Sequence, residues 1–391
     1  MKLYKHQQQL VDLAPDKHLL AWECGTGKTL AAIRLAHKNS SDELDIIVVC
    51  PKSIKEQWIE QTGGFISVVS KEEFRKDWKD YRKVNCLIID EAHYFSGIKS
   101  QMHKSLIKYV KKHNPQYIYL LTATPYLSTP FNIYCLARIL GYNWNYRKFF
   151  DSYFTNVRMG SRYIPMVKKG IEPQIAKLVA TIGNTVKLQD CVDVPEQIYQ
   201  TEYFGLTVDQ RRAINVIKSE ETNHIVKWTA IHQVCGGTRK GDGYTDTKYY
   251  KSEKLERLKD ICKEHKKVIV VCRYNAELET IQKEIGGTII NGETKNKNEI
   301  SIRENAKEES ILLMNAACSE GNDKIWSYPL MVFYSYDFSF KNYKQMKGRI
   351  LRANHLKKNV YLSLIVKGTI DEDVKKSLDN KVSFDIEIYN K

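Results

Sequence analysis

Four short stretches of this 391-residue chain concentrate the residues that could do chemistry. The first is ECGTGKT (23–29), between the apolar run HLLAW and the helical pattern TLAAIRLAH. A Gly-rich turn from strand to helix exposes backbone N–H groups that bind phosphate. Gly25 and Gly27 permit close backbone approach, Lys28 can reach β- and γ-phosphates, and Thr29 can offer its hydroxyl to Mg²⁺. The strict pattern G-x-x-x-x-G-K-[ST] wants glycine at position 22, where Trp22 stands, so alone the stretch also fits a helix-opening turn with no ligand. The second is Asp90-Glu91-Ala92-His93, directly after the apolar run CLII. A carboxylate at the end of a parallel strand faces the crevice where such sheets bind ligands. Asp90 is expected to hold Mg²⁺ through water, and Glu91 to orient and deprotonate an attacking water. The third is Thr122-Ala123-Thr124-Pro125, whose hydroxyls could link a γ-phosphate site to its neighbours. The fourth is QMKGRILR (345–352), where Arg349 and Arg352, three apart, fall on one face of a helix. Arginines so placed can stabilise transition-state charge, although an isolated R-x-x-R also suits a solvated basic helix.

The elements that must position these residues follow from hydrophobic pattern. IIVVC (46–50), SVVS (67–70), CLIID (86–90) and YIYLLTATP (117–125) are short apolar runs that predict buried parallel strands, with helical spacing over 28–38 and 53–61 between them. That alternation predicts an α/β, doubly wound parallel sheet. Residues 141–250 break the rhythm; they are rich in Tyr, Lys and Arg, predict mostly helix, and carry the loop CGGTRKGDGY (235–244). Alternation resumes in KVIVVC (267–272), TII (288–290), SILLMNA (310–316), LMVFYS (330–335) and NVYLSLIV (359–366). Three segments are expected: a lobe over 1–140, a mostly helical inter-lobe segment over 141–250, and a second lobe over 251–391.

Composition narrows the partners. A net charge of +15 favours a polyanion, because basic side chains release counterions from phosphates. No apolar run approaches the roughly 18 residues of a membrane span, and MKLYKHQQQLVDLA lacks the apolar block of a signal peptide. Nine cysteines without a C-x-x-C, several inside apolar runs (Cys50, Cys86, Cys272), suit reduced thiols in a cytoplasmic protein better than disulfides or structural zinc.

In their order, GKT, DEAH, TATP and Q-x-x-G-R-x-x-R resemble the motors of helicase superfamily two. Intervening text narrows the likeness to Swi/Snf-type double-stranded DNA translocases. VVCPKSIKEQWIEQ (48–61), VVSKEEF (68–74), IIDEAHYFSGIKSQMHKSL (88–106) with Ser100, and LLTATPYLSTPFNIYCLARIL (120–140) are similar to first-lobe segments of that family. YRKFFDSYF (146–154), FGLTVDQRRAINVI (204–217), IHQVCGG (231–237), SEKLERLKDI (252–261) and KGTIDEDV (367–374) carry the likeness through most of the chain. That branch commonly places Glu two residues before the first cradle glycine, as Glu23 stands here, so the missing glycine at 22 is a habit of the branch. The chain departs from the family at Phe338-Ser339-Phe340 (usually Trp-Asn-Pro), Arg352-Ala353-Asn354-His355 (Arg-Ile-Gly-Gln) and Gly321-Asn322-Asp323-Lys324 (Gly-Leu-Asn-Leu). These positions lie where ATP use is coupled to DNA movement, so they bear on coupling more than on hydrolysis.

The resemblance implies two tandem RecA-like lobes of the P-loop NTPase fold with ATP and Mg²⁺ between them. It implies Lys28, Glu91, Arg349 and Arg352 as catalytic, and Thr29 and Asp90 as metal ligands. It makes Gln7, Glu23, Gly25, Thr26, Gly27, Lys28, Thr29, Gly321, Asp323 and Gln345 the ATP contacts, with Gln7 reading adenine through its amide. His93, Thr122 and Thr124 would couple hydrolysis to movement. Lys52, Ser53, Ser70, Lys71, Arg273 and Thr294 would hold DNA phosphates, which carry no sequence information. The run QQQ also suits a plain polar helix, and the aromatics over 142–154 suit core packing better than a duplex wedge. The expected activity is a DNA-dependent ATPase that moves on duplex DNA in replication, recombination or repair, of bacterial or viral origin, with a possible targeting protein. A strand-separating DNA or RNA helicase and an ATP-dependent clamp subunit are the alternatives.

Overall fold

The computed structural model describes residues 3–39, 45–126, 129–159, 162–241, 246–318, 325–351, 358–380, 382–387 and 389. The chain divides into two compact units, Met1–Asp193 and Val194–Lys391.

In the first unit the strands are β1 (Lys17–Trp22), β2 (Ile46–Cys50), β3 (Ser67–Ser70), β4 (Cys86–Asp90), β5 (Tyr117–Leu121), β6 (Phe154–Met159), β7 (Arg162–Val167) and β8 (Gly183–Val186). Six of them form one parallel sheet in the order β3-β2-β4-β5-β1-β8, and β6 and β7 pair only with each other. β4, β5 and β1 are therefore neighbours, and the loops after them open at one edge of the sheet.

Burial on both faces explains why the central strands β2, β4 and β5 read as nearly continuous apolar runs. Side chains alternate: Leu19, Ile47, Val49, Leu87, Ile89, Ile118 and Leu120 pack on one face. Leu20, Trp22, Ile46, Val48, Ile88, Tyr119 and Leu121 pack on the other. The helices Lys5–Leu13, Lys28–Asn39 and Lys55–Gln61 cover the second face with Leu10, Leu35 and Trp58. Those at Lys71–Asp77, Gln101–His113, Phe131–Ile139 and Glu172–Ile182 cover the first with Phe74, Tyr109, Leu136 and Val179.

The second unit repeats the plan with β9 (Gln197–Phe204), β10 (Thr238–Arg239), β11 (Lys248–Tyr249), β12 (Lys267–Cys272), β13 (Thr288–Ile290), β14 (Ser310–Asn315), β15 (Leu330–Phe333) and β16 (Asn359–Val366). Its six-stranded parallel sheet runs β13-β14-β12-β15-β16-β9, with β10 and β11 as a separate pair. Each unit is thus a doubly wound parallel sheet with helices on both faces, a RecA-like lobe.

Residues 141–250 are shared between the two units rather than forming a body of their own. They are also less helical than expected, because β8 and β9 join the edges of the two sheets and β6 pairs with β7. The aromatics of 142–154 pack as core: Phe149 and Phe154 are buried with Tyr134, and Trp144 lies against them.

Candidate active site

Trp22 occupies the place where a glycine was wanted because it is the last residue of β1, wholly buried. Its Nε1 donates to Asn184 Oδ1 on β8 at 2.9 Å. The turn that follows needs glycine at two positions only, since Gly25 and Gly27 take φ of 83° and 77°. A side chain at Gly27 would also collide with Gln7, its Cβ falling 2.1 Å from Gln7 Nε2.

Gln7 holds this turn to the N-terminal helix. Its amide donates to the carbonyl oxygens of Thr26 (3.2 Å) and Gly27 (3.1 Å), and its Oε1 accepts from Tyr4 N–H at 2.7 Å. Both amide hydrogens are thus spent on the cradle. The adenine-reading role expected of Gln7 therefore finds its donor already committed to the loop backbone. Thr26, 1 % exposed, donates its hydroxyl to Glu23 O at 2.7 Å. The Glu23 carboxylate accepts from Leu188 N–H at 3.1 Å and ties the turn to the chain beyond β8. Lys28 opens the helix Lys28–Asn39, and its ammonium donates to the carbonyls of Trp22 (2.9 Å) and Glu23 (3.1 Å). Neutral carbonyls are weaker acceptors than phosphate oxygens, so this arrangement suits a lysine that can be drawn to an anion. Thr29 follows it, half-buried, in the first turn of the same helix.

Asp90 ends β4 with its carboxylate buried. Trp58 Nε1 donates to Oδ2 and Glu91 N–H to Oδ1, both at 2.8 Å. Trp58 is the downstream tryptophan of PKSIKEQW, and sequence reasoning missed that it positions the carboxylate expected to bind metal. Burial first, then the Glu91 charge, push the Asp90 carboxyl up; Trp58 and the Lys28 ammonium oppose them. A cation at this carboxylate would counter both upward causes, and Lys28 acting on it links the cradle to the acidic pair. Among the described residues no group of three or more His, Cys, Asp or Glu could hold a metal ion.

Glu91 adopts the left-handed conformation (φ 50°, ψ 50°), uncommon for a residue with a side chain. Its Oε2 lies 3.1 Å from His93 Nδ1, which in turn stands 3.2 Å from Thr122 Oγ1 at the end of β5. Thr122 Oγ1 also accepts from Thr124 N–H at 3.1 Å. The expected coupling residues are thus brought together in one chain of contacts from Glu91 to Thr124. Two buried atoms of this group, His93 Nε2 and Thr124 Oγ1, have no hydrogen-bond partner among the described residues.

In the second unit Gln345 and Arg349 are 2 % and 8 % exposed. The helix Phe340–Lys347 ends before Arg349, capped at Gly348, so Arg349 lies in the following turn. Arg349 is therefore not on the helix expected to carry it. Arg352, Gly321 and Asp323 lie outside the described residues.

The phosphate-binding candidates separate by exposure and partner. Lys52 and Ser53 are exposed in a single 3₁₀ turn after β2. Ser70 is 1 % exposed and caps the helix Lys71–Asp77, its Oγ accepting from Glu73 N–H at 3.1 Å while the Glu73 carboxylate accepts from Ser70 N–H at 2.8 Å. The cap uses the hydroxyl oxygen as an acceptor only; it is burial that keeps the hydroxyl expected to meet phosphate away from the surface. Lys71 pairs with Glu72 at 3.0 Å and lies over the Tyr94 ring at 3.8 Å. Arg273 pairs with Asp337 and covers Phe338 at 3.7 Å. Thr294 Oγ1 closes a turn with Asn291, accepting from its N–H at 2.9 Å. Ser70→Ala is accordingly expected to cost about 0.5–2 kcal/mol of stability. It should leave nucleic-acid affinity unchanged, whereas Lys52→Ala should weaken affinity without loss of stability; thermal unfolding and anisotropy titration on both variants separate the roles.

Residues 253–354 match the family model described as the helicase conserved C-terminal domain. Over 95 % of this chain and 97 % of the other, the fold is similar to the Pyrococcus furiosus Hef helicase domain, at 14 % identity and a TM-score of 0.54. A Sulfolobus solfataricus SWI2/SNF2 ATPase core, solved in complex with double-stranded DNA, aligns over 97 % of this chain and 91 % of its own at 16 % identity and a TM-score of 0.44. No curated protein matches the chain. Among the described residues no helix is long and apolar enough to cross a membrane.

Proposed function

From a second unit whose sequence matches the helicase conserved C-terminal domain and a fold similar to a solved helicase domain, we propose an ATP-dependent motor that translocates on double-stranded DNA, in replication, recombination or repair. The observation that supports it most is the convergence of Lys28, Asp90, Glu91, His93 and Thr122 at the ends of the adjacent strands β1, β4 and β5. The net charge of +15 supports a polyanionic track.

ATP supplies the phosphoryl group, and its Mg²⁺ would be held by Thr29 and, through water, by Asp90. Lys28 binds the β- and γ-phosphates as it leaves the Trp22 and Glu23 carbonyls. Glu91 orients the attacking water and accepts its proton, with His93 Nδ1 3.1 Å from its carboxylate. Arg349 and Arg352 of the second unit stabilise the charge that develops on the transferred group. On the same reading Gln345, Gly321 and Asp323 contact ATP. Lys52 and Ser53 contact the DNA backbone, and a protein partner supplies targeting.

Steady-state hydrolysis measured with duplex DNA, single-stranded DNA, RNA and no nucleic acid tests the proposal. Duplex should stimulate most. Rates that are the same in all four conditions sink the motor reading.

A further inference from the structure

We infer that the ribbon of β6 and β7 is a second nucleic-acid contact, an arm that enters a groove of duplex DNA. The inference rests on the motor reading above and adds a site that the cradle and its acidic pair do not supply.

The ribbon pairs Phe154 with Val167 through Met159 with Arg162, antiparallel and apart from both large sheets. An isolated two-stranded ribbon is marginal in water, and beyond its first pair the described side chains are exposed on both faces, Thr155, Val157 and Met166 on one and Asn156, Arg158, Tyr163 and Pro165 on the other. Val157 is 37 %, Met166 51 % and Tyr163 69 % exposed. Its base, by contrast, is fixed. Phe154 is 5 % exposed and stacks on Phe131 (4.4 Å between centroids) and Phe150 (5.2 Å). Lys168 N–H donates to Tyr153 O at 3.0 Å and closes the ladder there. A firmly rooted arm with two uncovered faces is built to be covered by something else.

Charge identifies the occupant. Over 145–170 the chain carries Arg147, Lys148, Arg158, Arg162, Lys168 and Lys169 against Asp151 alone. That excess matches phosphates, and a two-stranded ribbon fits the major groove, about 12 Å wide. Arg158 and Tyr163 are cross-strand partners on one face, which sets a guanidinium for phosphate beside an aromatic ring for sugar or base. Nothing here requires base identity, as a moving protein demands.

The test uses the full chain and a fluorescent 30-base-pair duplex without nucleotide. Arg158→Ala/Tyr163→Ala should bind about tenfold more weakly, with a log–log salt slope smaller by about one, while DNA-free ATP hydrolysis stays at the wild-type rate. A photo-cross-linking residue at position 163 should attach to the duplex. Wild-type affinity in the double variant, or cross-links to protein only, overturns the arm and leaves the motor reading standing. A wild-type chain that binds no nucleic acid overturns the motor reading and the arm with it.

Discussion

Glu91→Gln is expected to lower ATP turnover by about 10²–10⁴-fold, the contribution of a positioned general base, with ATP affinity close to wild type. The substitution preserves the size of the side chain and its reach toward His93 Nδ1, 3.1 Å from the carboxylate. It also preserves the left-handed backbone at position 91, which the fold already sustains. What it removes is the capacity to take a proton from water. Lys28→Ala should behave differently, losing ATP affinity together with turnover, because Lys28 belongs to the cradle and not to proton transfer. Titration with a fluorescent ATP analogue beside steady-state hydrolysis separates the two. Turnover in Glu91→Gln within tenfold of wild type would exclude Glu91 as the base and direct attention to another carboxylate.

The same contrast shows what could be read before the fold was known. The central strands of both sheets were legible because they are buried on both faces, so IIVVC is apolar at every position and KVIVVC at every position after Lys267. β8 and β9 were not, because GNTV and QIYQTEYF are half-exposed edge strands whose partners, β1 and β16, lie more than a hundred residues away in sequence. The ribbon of β6 and β7 was hidden within a stretch whose flanking helices set the expectation. Lys28, Asp90 and Glu91 were legible as a set because strand ends impose their spacing. Side-chain hydrogen bonding was not. Composition cannot tell that Ser70 caps a helix while Ser53 is exposed, or that both amide hydrogens of Gln7 go to the loop beside it. The Trp58–Asp90 bond was equally invisible, since thirty-two residues separate its partners.

Lys254→Met is expected to destabilise the second unit by about 3–5 kcal/mol, the cost of leaving one member of a buried ion pair alone. Lys254 and Asp371 are 1 % and 0 % exposed, with Nζ 2.9 Å from Oδ2. Asp371 Oδ2 also accepts from Val366 N–H at 2.9 Å, at the end of β16. His232 Nε2 stands 3.5 Å from Oδ1, too far to replace the ammonium. The pair joins the helix Glu253–Glu264 to the helix Ile370–Asp379, and the sequence segments SEKLERLKDI and KGTIDEDV meet through it. Burial alone would raise the Asp371 carboxyl; the Lys254 charge, then His232 and the Val366 N–H, bring it down to about 2. A folded pKa below the unfolded one contributes stability that is complete above the unfolded value of 3.8 and is lost as pH falls toward 2. Without Lys254 the leading downward cause is gone, so the acid transition of this unit should move to higher pH. Lys254→Met/Asp371→Leu removes both charges and should recover most of the loss, as apolar replacements of buried pairs commonly do. Because the chain has two units, amide hydrogen exchange read on β16 and on Ile370–Asp379 is the suitable measurement. Equal protection there in Lys254→Met and wild type would mean that the pair contributes no net stability, and that packing of Val374 and Leu378 holds the helix by itself.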